Sequence, residues 1–335
     1  MSRELIVSSS PHVKVSDGTS SIMLDVIIAL AFPIGITVFQ FGPRAAVIAA
    51  VSAASCVAFE YLYRRMMKKP GSISDLSAVV TGLLIAMCLP ASVPYWMPVV
   101  GAFFAIVVVK QLFGGLGKNF MNPALAARAF LLSWPAAMTA WTASGVSLPL
   151  WDASASATPG ADAVAAATPL ASLKTGIIPN ISLPDMFLGH IPGSMGEVSA
   201  VMLLLGGFYL WVRGVISLRI PLSYMGTVAA LTFAFAPAGA DRPMFMLYHL
   251  LSGGLILGAV FMATDYSTSP VTRRGQVLFG VGCGLLTVFI RFFGSLPEGV
   301  CFSILIMNAC AWLLDKAGRP RRFGARAKRK GGIGL

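Results

Sequence analysis

Ile22-Met23-Leu24-Asp25-Val26-Ile27-Ile28-Ala29-Leu30-Ala31-Phe32-Pro33-Ile34-Gly35-Ile36-Thr37-Val38-Phe39-Gln40-Phe41-Gly42 holds a single charged residue, Asp25, in an otherwise apolar run. A helix rises about 1.5 Å per residue, so a run of this length crosses a hydrocarbon core of about 30 Å. Nine further stretches read the same way: 44–63, 76–94, 96–114, 121–136, 197–217, 221–239, 246–265, 276–293 and 298–315. The fifth span of the set, 121–136, is short and carries Arg128. Composition agrees, since 56% of the 335 residues are hydrophobic and only 11% charged, against roughly 25% charged in a soluble domain. Mean hydropathy is +0.79. A globular enzyme in water is excluded; the expected fold class is an all-α polytopic membrane protein of about ten transmembrane helices. Met1 to Ser21 is polar and lacks the pattern of a cleavable signal peptide.

The net charge of +12 asks where the basic residues sit. With the N-terminus in the cytoplasm and sides alternating at each span, nineteen of the 25 Lys and Arg fall inside, eight of them between Lys316 and Lys330. Only Arg44, Lys174, Arg242 and Arg291 fall outside or at outer helix ends, while Lys110 and Arg128 lie within spans. This is the positive-inside pattern of a chain with both termini cytoplasmic. Nucleic-acid binding loses its support, because the basic residues share only a side of the membrane. The tail reads as contact with anionic lipid. The chain divides into a cytoplasmic N-terminus 1–21, a first five-helix half 22–136, an outer loop 137–196, a second half 197–315 and a basic cytoplasmic tail 316–335.

Motif chemistry is sparse. No phosphate loop, dinucleotide fingerprint or HExxH occurs, and three histidines supply no metal or haem centre. Cys56, Cys88, Cys283, Cys301 and Cys310 all fall within spans without a CxxC pair, as buried small side chains do, so no metal site is expected. Phe113-Gly114-Gly115-Leu116 is echoed by Phe293-Gly294-Ser295-Leu296, and Leu76-Ser77 leading to Thr81-Gly82 by Leu251-Ser252-Gly253-Gly254. Five spans per repeat would invert the second copy relative to the first. The small residues of 77–82 and 252–258 serve either close helix packing or the approach of a flat ligand. Long cations near span ends read as snorkelling to the interface. Arg128 is the exception, following Asn122-Pro123-Ala124 in a short span able to hold an anionic group. In the outer loop, Asp162-Ala163-Val164-Ala165-Ala166-Ala167-Thr168-Pro169-Leu170-Ala171 is by composition a linker with an accessible hydroxyl.

Taken together, several stretches make the chain resemble a known family. They include Ser9-Ser10-Pro11-His12, Ser77-Ala78-Val79-Val80-Thr81-Gly82, Lys110-Gln111-Leu112-Phe113-Gly114-Gly115-Leu116-Gly117, Asn122-Pro123-Ala124, Gly196-Glu197-Val198-Ser199-Ala200 and Phe261-Met262-Ala263-Thr264-Asp265. The family is that of the D subunit of the Rnf complex, the membrane assembly linking ferredoxin and NAD. More distantly the chain is similar to the B subunit of the sodium-pumping NADH:quinone reductase.

The resemblance implies a covalent flavin. A flavin transferase of this family recognises Asp-x-x-[Ser/Thr]-[Gly/Ala]-Ala-Thr and joins the FMN phosphate to the Thr hydroxyl. Thr168 matches the acceptor and Asp162 the acidic position, with Ala165 departing from the usual hydroxyl residue. Asp152 to Thr158 has the same spacing, but Pro169-Leu170-Ala171 and Lys174 continue the family pattern after Thr168. By resemblance, Ser77, Thr81, Gly82, Gly253 and Gly254 would face the flavin ring, Arg128 or Lys110 would stabilise its anionic reduced form, and a non-covalent riboflavin is a second possible cofactor. The implied protein is a bacterial inner-membrane subunit relaying electrons between ferredoxin and NAD in a complex coupled to ion movement, with the flavin loop periplasmic. Its partners would be the A, B, C, E and G subunits, membrane lipid and the transferase. No complete activity is expected of the chain alone. A secondary transporter or channel without a redox cofactor is the alternative that an inverted repeat would suit, and a structural scaffold is a third.

Overall fold

The computed structural model describes residues 18–142, 145, 148–150, 168–237, 239, 241–294 and 298–319. Asp162 and Thr158 lie outside the described residues. Within them the fold is all helical, with no β-strand. The first half comprises α1 (Thr19–Phe41), α2 (Pro43–Met66), α3 (Ser77–Met87), α4 (Trp96–Gln111), α5 (Pro123–Leu131) and a single turn, α6 (Pro135–Met138). Two short helices follow between the halves, α7 (Pro169–Lys174) and α8 (Leu183–Leu188). The second half holds α9 (Ala200–Val212), α10 (Arg219–Ala234), α11 (Arg242–Leu251), α12 (Leu255–Met262), α13 (Arg273–Phe293) and α14 (Val300–Gly318).

Each of the ten apolar stretches contains a helix, but length separates them. Among the described residues, only α1, α2, α13 and α14 are long and apolar enough to cross a membrane alone. The pair α11 and α12, bent by 62°, makes a fifth if taken as one broken span. The remaining stretches hold shorter helices, and α3 is one that stops inside the protein. The 76–94 stretch is helical only over Ser77–Met87, and the non-helical backbone from Cys88 to Val93 is buried throughout. Irregular backbone at that depth needs partners for its carbonyls. Arg44, from the start of α2, donates to the Ala91, Ser92 and Val93 carbonyls, while the Met195 and Gly196 amides donate to the Leu89 and Met87 carbonyls.

A matching break occurs in each half. Leu76 precedes α3 at φ 60°, and Gly254 precedes α12 at φ 61°, both left-handed. Glycine adopts this geometry at no steric cost, whereas Leu76 is strained. Asp75 stabilises the first break by accepting from the Ser77 amide at 2.9 Å and hydroxyl at 2.5 Å. Helix α4 widens to π geometry over Phe104–Gln111, and α12 does so over Gly258–Met262. Such segments recur at functional sites.

The two halves interlock: α1 packs on α9 and α5 on α14. One apolar core runs through both halves, from Ala29 and Ile48 to Ile304. A second, smaller core of Leu170, Leu173, Met186, Ile191, Phe245 and Tyr248 seats α7 and α8 against α11.

Candidate functional site

The sequence-selected residues separate into two clusters, one at the break before α3 and one at the break before α12. At the first, Lys110 is 2% exposed and donates to Glu60 Oε2 at 2.9 Å and Ser77 Oγ at 2.6 Å. Glu60 also accepts from Ser72 Oγ at 2.5 Å and from Gln111 Nε2 at 2.9 Å. A buried carboxylate and ammonium so satisfied hold the break rigid, and the Lys110 charge is already neutralised.

Ser77, Thr81 and Lys110 line a narrow cavity of about 80 Å³ between α1, α3, α5 and the end of α12. It shares Met23, Leu116, Asp265, Tyr266 and Ser267 with a wider cavity of about 740 Å³ that continues towards α14. The wider one matches the size of small-molecule sites. Its polar lining includes Asp265, Thr268, Asn308 and Asp315. Asp265 accepts from Ser267 Oγ and Thr268 Oγ1, closing the turn after α12. Gly82 belongs elsewhere: a Cβ there would stand 2.5 Å from Ala53 Cα, and Ser52 Oγ donates to its carbonyl at 2.7 Å. This glycine lets α2 and α3 touch.

At the second break, Thr168 is the N-cap of α7 with extended backbone, and its side chain makes no cap hydrogen bond. Ser182, Ser199 and Thr272, also N-caps, use their hydroxyls on their own helices. Two residues after Thr168, Leu170 packs on Gly253: a Cβ on that glycine would lie 2.6 Å from Leu170 Cδ2 and 3.0 Å from Arg291 Nη2. A Cβ on Gly254 would lie 3.2 Å from Glu197 Oε1. The segment that begins at Thr168 thus docks through Leu170 on the break that holds Gly253 and Gly254.

Arg128 lies in this second cluster and its guanidinium is occupied. It forms a short ion pair with Glu298 and a longer one, 3.8 Å, with Glu197. Arg291 donates to the His249 carbonyl at 2.6 Å and the Ser252 carbonyl at 3.0 Å. Arg44, Lys110 and Arg291 are each 2% exposed. These cations do not snorkel; they neutralise buried carboxylates or satisfy the carbonyls freed where helices break. The sequence gives no role to Glu298 and marks Glu197 and Ser252 only as members of longer stretches. Their one available signal is position, since each stands at the start of a span or beside paired glycines.

Among the described residues no three His, Cys, Asp or Glu side chains gather to hold a metal ion. The five cysteines are unbridged and four are buried, as expected of apolar packing.

The profile of the NQR2, RnfD, RnfE family matches residues 6–324. The chain belongs to this family. Its relatives include the D subunit of the Na(+)-translocating ferredoxin:NAD(+) oxidoreductase complex of Acetobacterium woodii, 46% identical over 96% of this chain and 95% of that protein. The D subunit of the proton-translocating ferredoxin:NAD(+) oxidoreductase complex of Clostridium ljungdahlii is 42% identical over 96% of each. The D subunit of the ion-translocating oxidoreductase complex of Stutzerimonas stutzeri is 38% identical over 94% of this chain and 95% of that protein. The resemblance to the Rnf D subunit is thereby borne out for this family member. Two of these relatives are named for different ions, so membership does not choose between Na⁺ and H⁺.

Proposed function

We propose that this chain is the membrane subunit of an ion-translocating ferredoxin:NAD oxidoreductase that carries FMN esterified to Thr168 and relays electrons through it. The observation that carries this reading is the seat of Thr168. Its hydroxyl is not used to cap α7, and α7 is docked by Leu170 onto the Gly253-Gly254 break. An ester to phosphate forms there without removing a helix cap, and the tether leaves the isoalloxazine ring unmodified. The ring supplies one- and two-electron chemistry, and the chain supplies position and electrostatics. Asp162 belongs to the recognition pattern of the transferase. The occupied state of Arg128 and Lys110 shifts their expected role from direct contact with reduced flavin to holding the two breaks. Riboflavin, if the chain carries it, suits the wider cavity beside Asp265 and Tyr266.

The architecture we propose is ten membrane segments in two inverted five-segment halves, with both termini cytoplasmic and the flavin-bearing segment outside, in the bacterial inner membrane. The paired left-handed breaks at Leu76 and Gly254 support the inversion, as do the two cations that brace them, Lys110 through Ser77 and Arg291 through Ser252. Partners are the remaining subunits of the complex, the bilayer and the flavin transferase.

In-gel fluorescence and peptide mass spectrometry test the reading. Wild-type chain should carry covalent FMN on a peptide containing Thr168, and Thr168→Ala should abolish it while Thr158→Ala keeps it. Colourless wild-type protein that moves a solute in liposomes would instead favour a transporter.

A further inference from the structure

Glu197 and Glu298 both converge on Arg128 from loops of the second half, one just before α9 and the other just before α14. Both carboxylates reach the same guanidinium nitrogen, Arg128 Nη2: Glu298 Oε2 in a short ion pair and Glu197 Oε1 at 3.8 Å. Glu197 is 8% exposed and its Oε1 has no hydrogen-bond donor; Arg128 is 7% exposed and its Nε has no acceptor. The Cys88 and Cys301 thiols are electrostatic neighbours of Arg128 and Glu298, and Arg291 stands beside Gly253 with its guanidinium on the His249 carbonyl. Arg291 donates from its two terminal nitrogens to the His249 and Ser252 carbonyls and forms no ion pair with either glutamate, while its Nε has no acceptor.

Two ionised carboxylates only accept hydrogen bonds, so side by side they repel. Among the described residues Arg128 is the one cation in ion-pair contact with them, and one positive charge does not match two negative ones. One proton converts the repulsion into an O–H···O⁻ hydrogen bond, among the strongest a protein makes. We infer that Glu197 and Glu298 form a proton-binding site, holding one exchangeable proton between them against Arg128. The proton enters from and returns to water through Glu298, whose side chain is 20% exposed against 6% for Glu197. Binding converts one carboxylate to a carboxylic acid; Arg128 keeps its charge and no electron moves. The site lies next to the break where α7 docks, so a charge change there alters the field at that seat. The inference rests on side-chain geometry and stands whether or not Thr168 carries a flavin.

Infrared spectroscopy of the full-length chain in detergent, in H₂O and D₂O, reads the proton directly. Wild type at neutral pH should show a protonated-carboxyl C=O stretch that shifts in D₂O. The band should be lost in Glu197→Gln and equally in Glu298→Gln, because either remaining glutamate ionises fully against Arg128. A band absent from wild type, or unchanged in both variants, overturns the site. Should neither glutamine variant accumulate, the wild-type band must persist in Asp265→Asn; its disappearance there would assign the proton to Asp265 and overturn the inference.

Discussion

Arg44 shows how much a single long cation decides in this protein. It is 2% exposed, and its guanidinium spans three successive carbonyls that no helix can satisfy once α3 has stopped at Met87. Removing it leaves buried acceptors without donors, at roughly 1–3 kcal/mol each. Arg44→Ala should therefore lower the thermal midpoint in detergent strongly, and Arg44→Lys should recover only part of the loss, because a compact ammonium cannot copy the planar fork. Lys110 is the ionic counterpart. Lys110→Met leaves buried Glu60 with only its longer pair to Arg64, 3.7 Å, a change expected to cost up to about 3–5 kcal/mol. The double variant Lys110→Met, Glu60→Gln should be more stable than the single one, as measured by the same unfolding midpoint. A double variant no better than Lys110→Met would show that the pair does not act as a pair.

The breaks are the elements that organise the fold. Leu76 and Gly254 hold nearly the same left-handed backbone, yet only one is glycine. A left-handed non-glycine residue costs about 1–2 kcal/mol. Gly254→Ala should lower the midpoint on two counts, conformational strain and a Cβ brought 3.2 Å from Glu197 Oε1. Leu76→Gly should be milder than a Leu→Gly change within a helix, since relief of strain offsets the lost side chain. Sequence reading marked both breaks as runs of small residues, and left packing and ligand approach as open alternatives. The structure divides them: Gly82 serves the contact of α2 with α3, whereas Gly253 and Gly254 receive Leu170 and Glu197. Periodicity and composition carry no trace of that division, because both uses need only the absence of a side chain.

At the scale of the molecule, the distribution of charge predicts an orientation that labelling can check. In a Cys310→Ala background, Ile177→Cys should react with a membrane-impermeant thiol reagent added outside intact cells, and Lys118→Cys only after permeabilisation. The reverse pattern would invert the proposed topology. Ile177 is 65% exposed, and Lys118 lies in the loop after α4, so both positions tolerate the change.

Hydropathy by itself determined that the chain is helical and membrane-embedded, because burying a polypeptide in hydrocarbon demands apolar runs of a minimum length. Resemblance over many stretches pointed to the family, and that resemblance, not spacing, pointed to Thr168. Which helices run the full thickness, and where the intramembrane cations point, was decided only by tertiary structure. A half-helix and a full span are equally apolar in sequence; they differ in whether Arg44, Arg291 or a neighbouring stretch of backbone is present to satisfy the carbonyls where the helix ends. Arg128 illustrates the same limit. Its position in a short span marked it as special, but Glu197 and Glu298 lie 69 and 170 residues away along the chain, and only folding brings two carboxylates to one guanidinium.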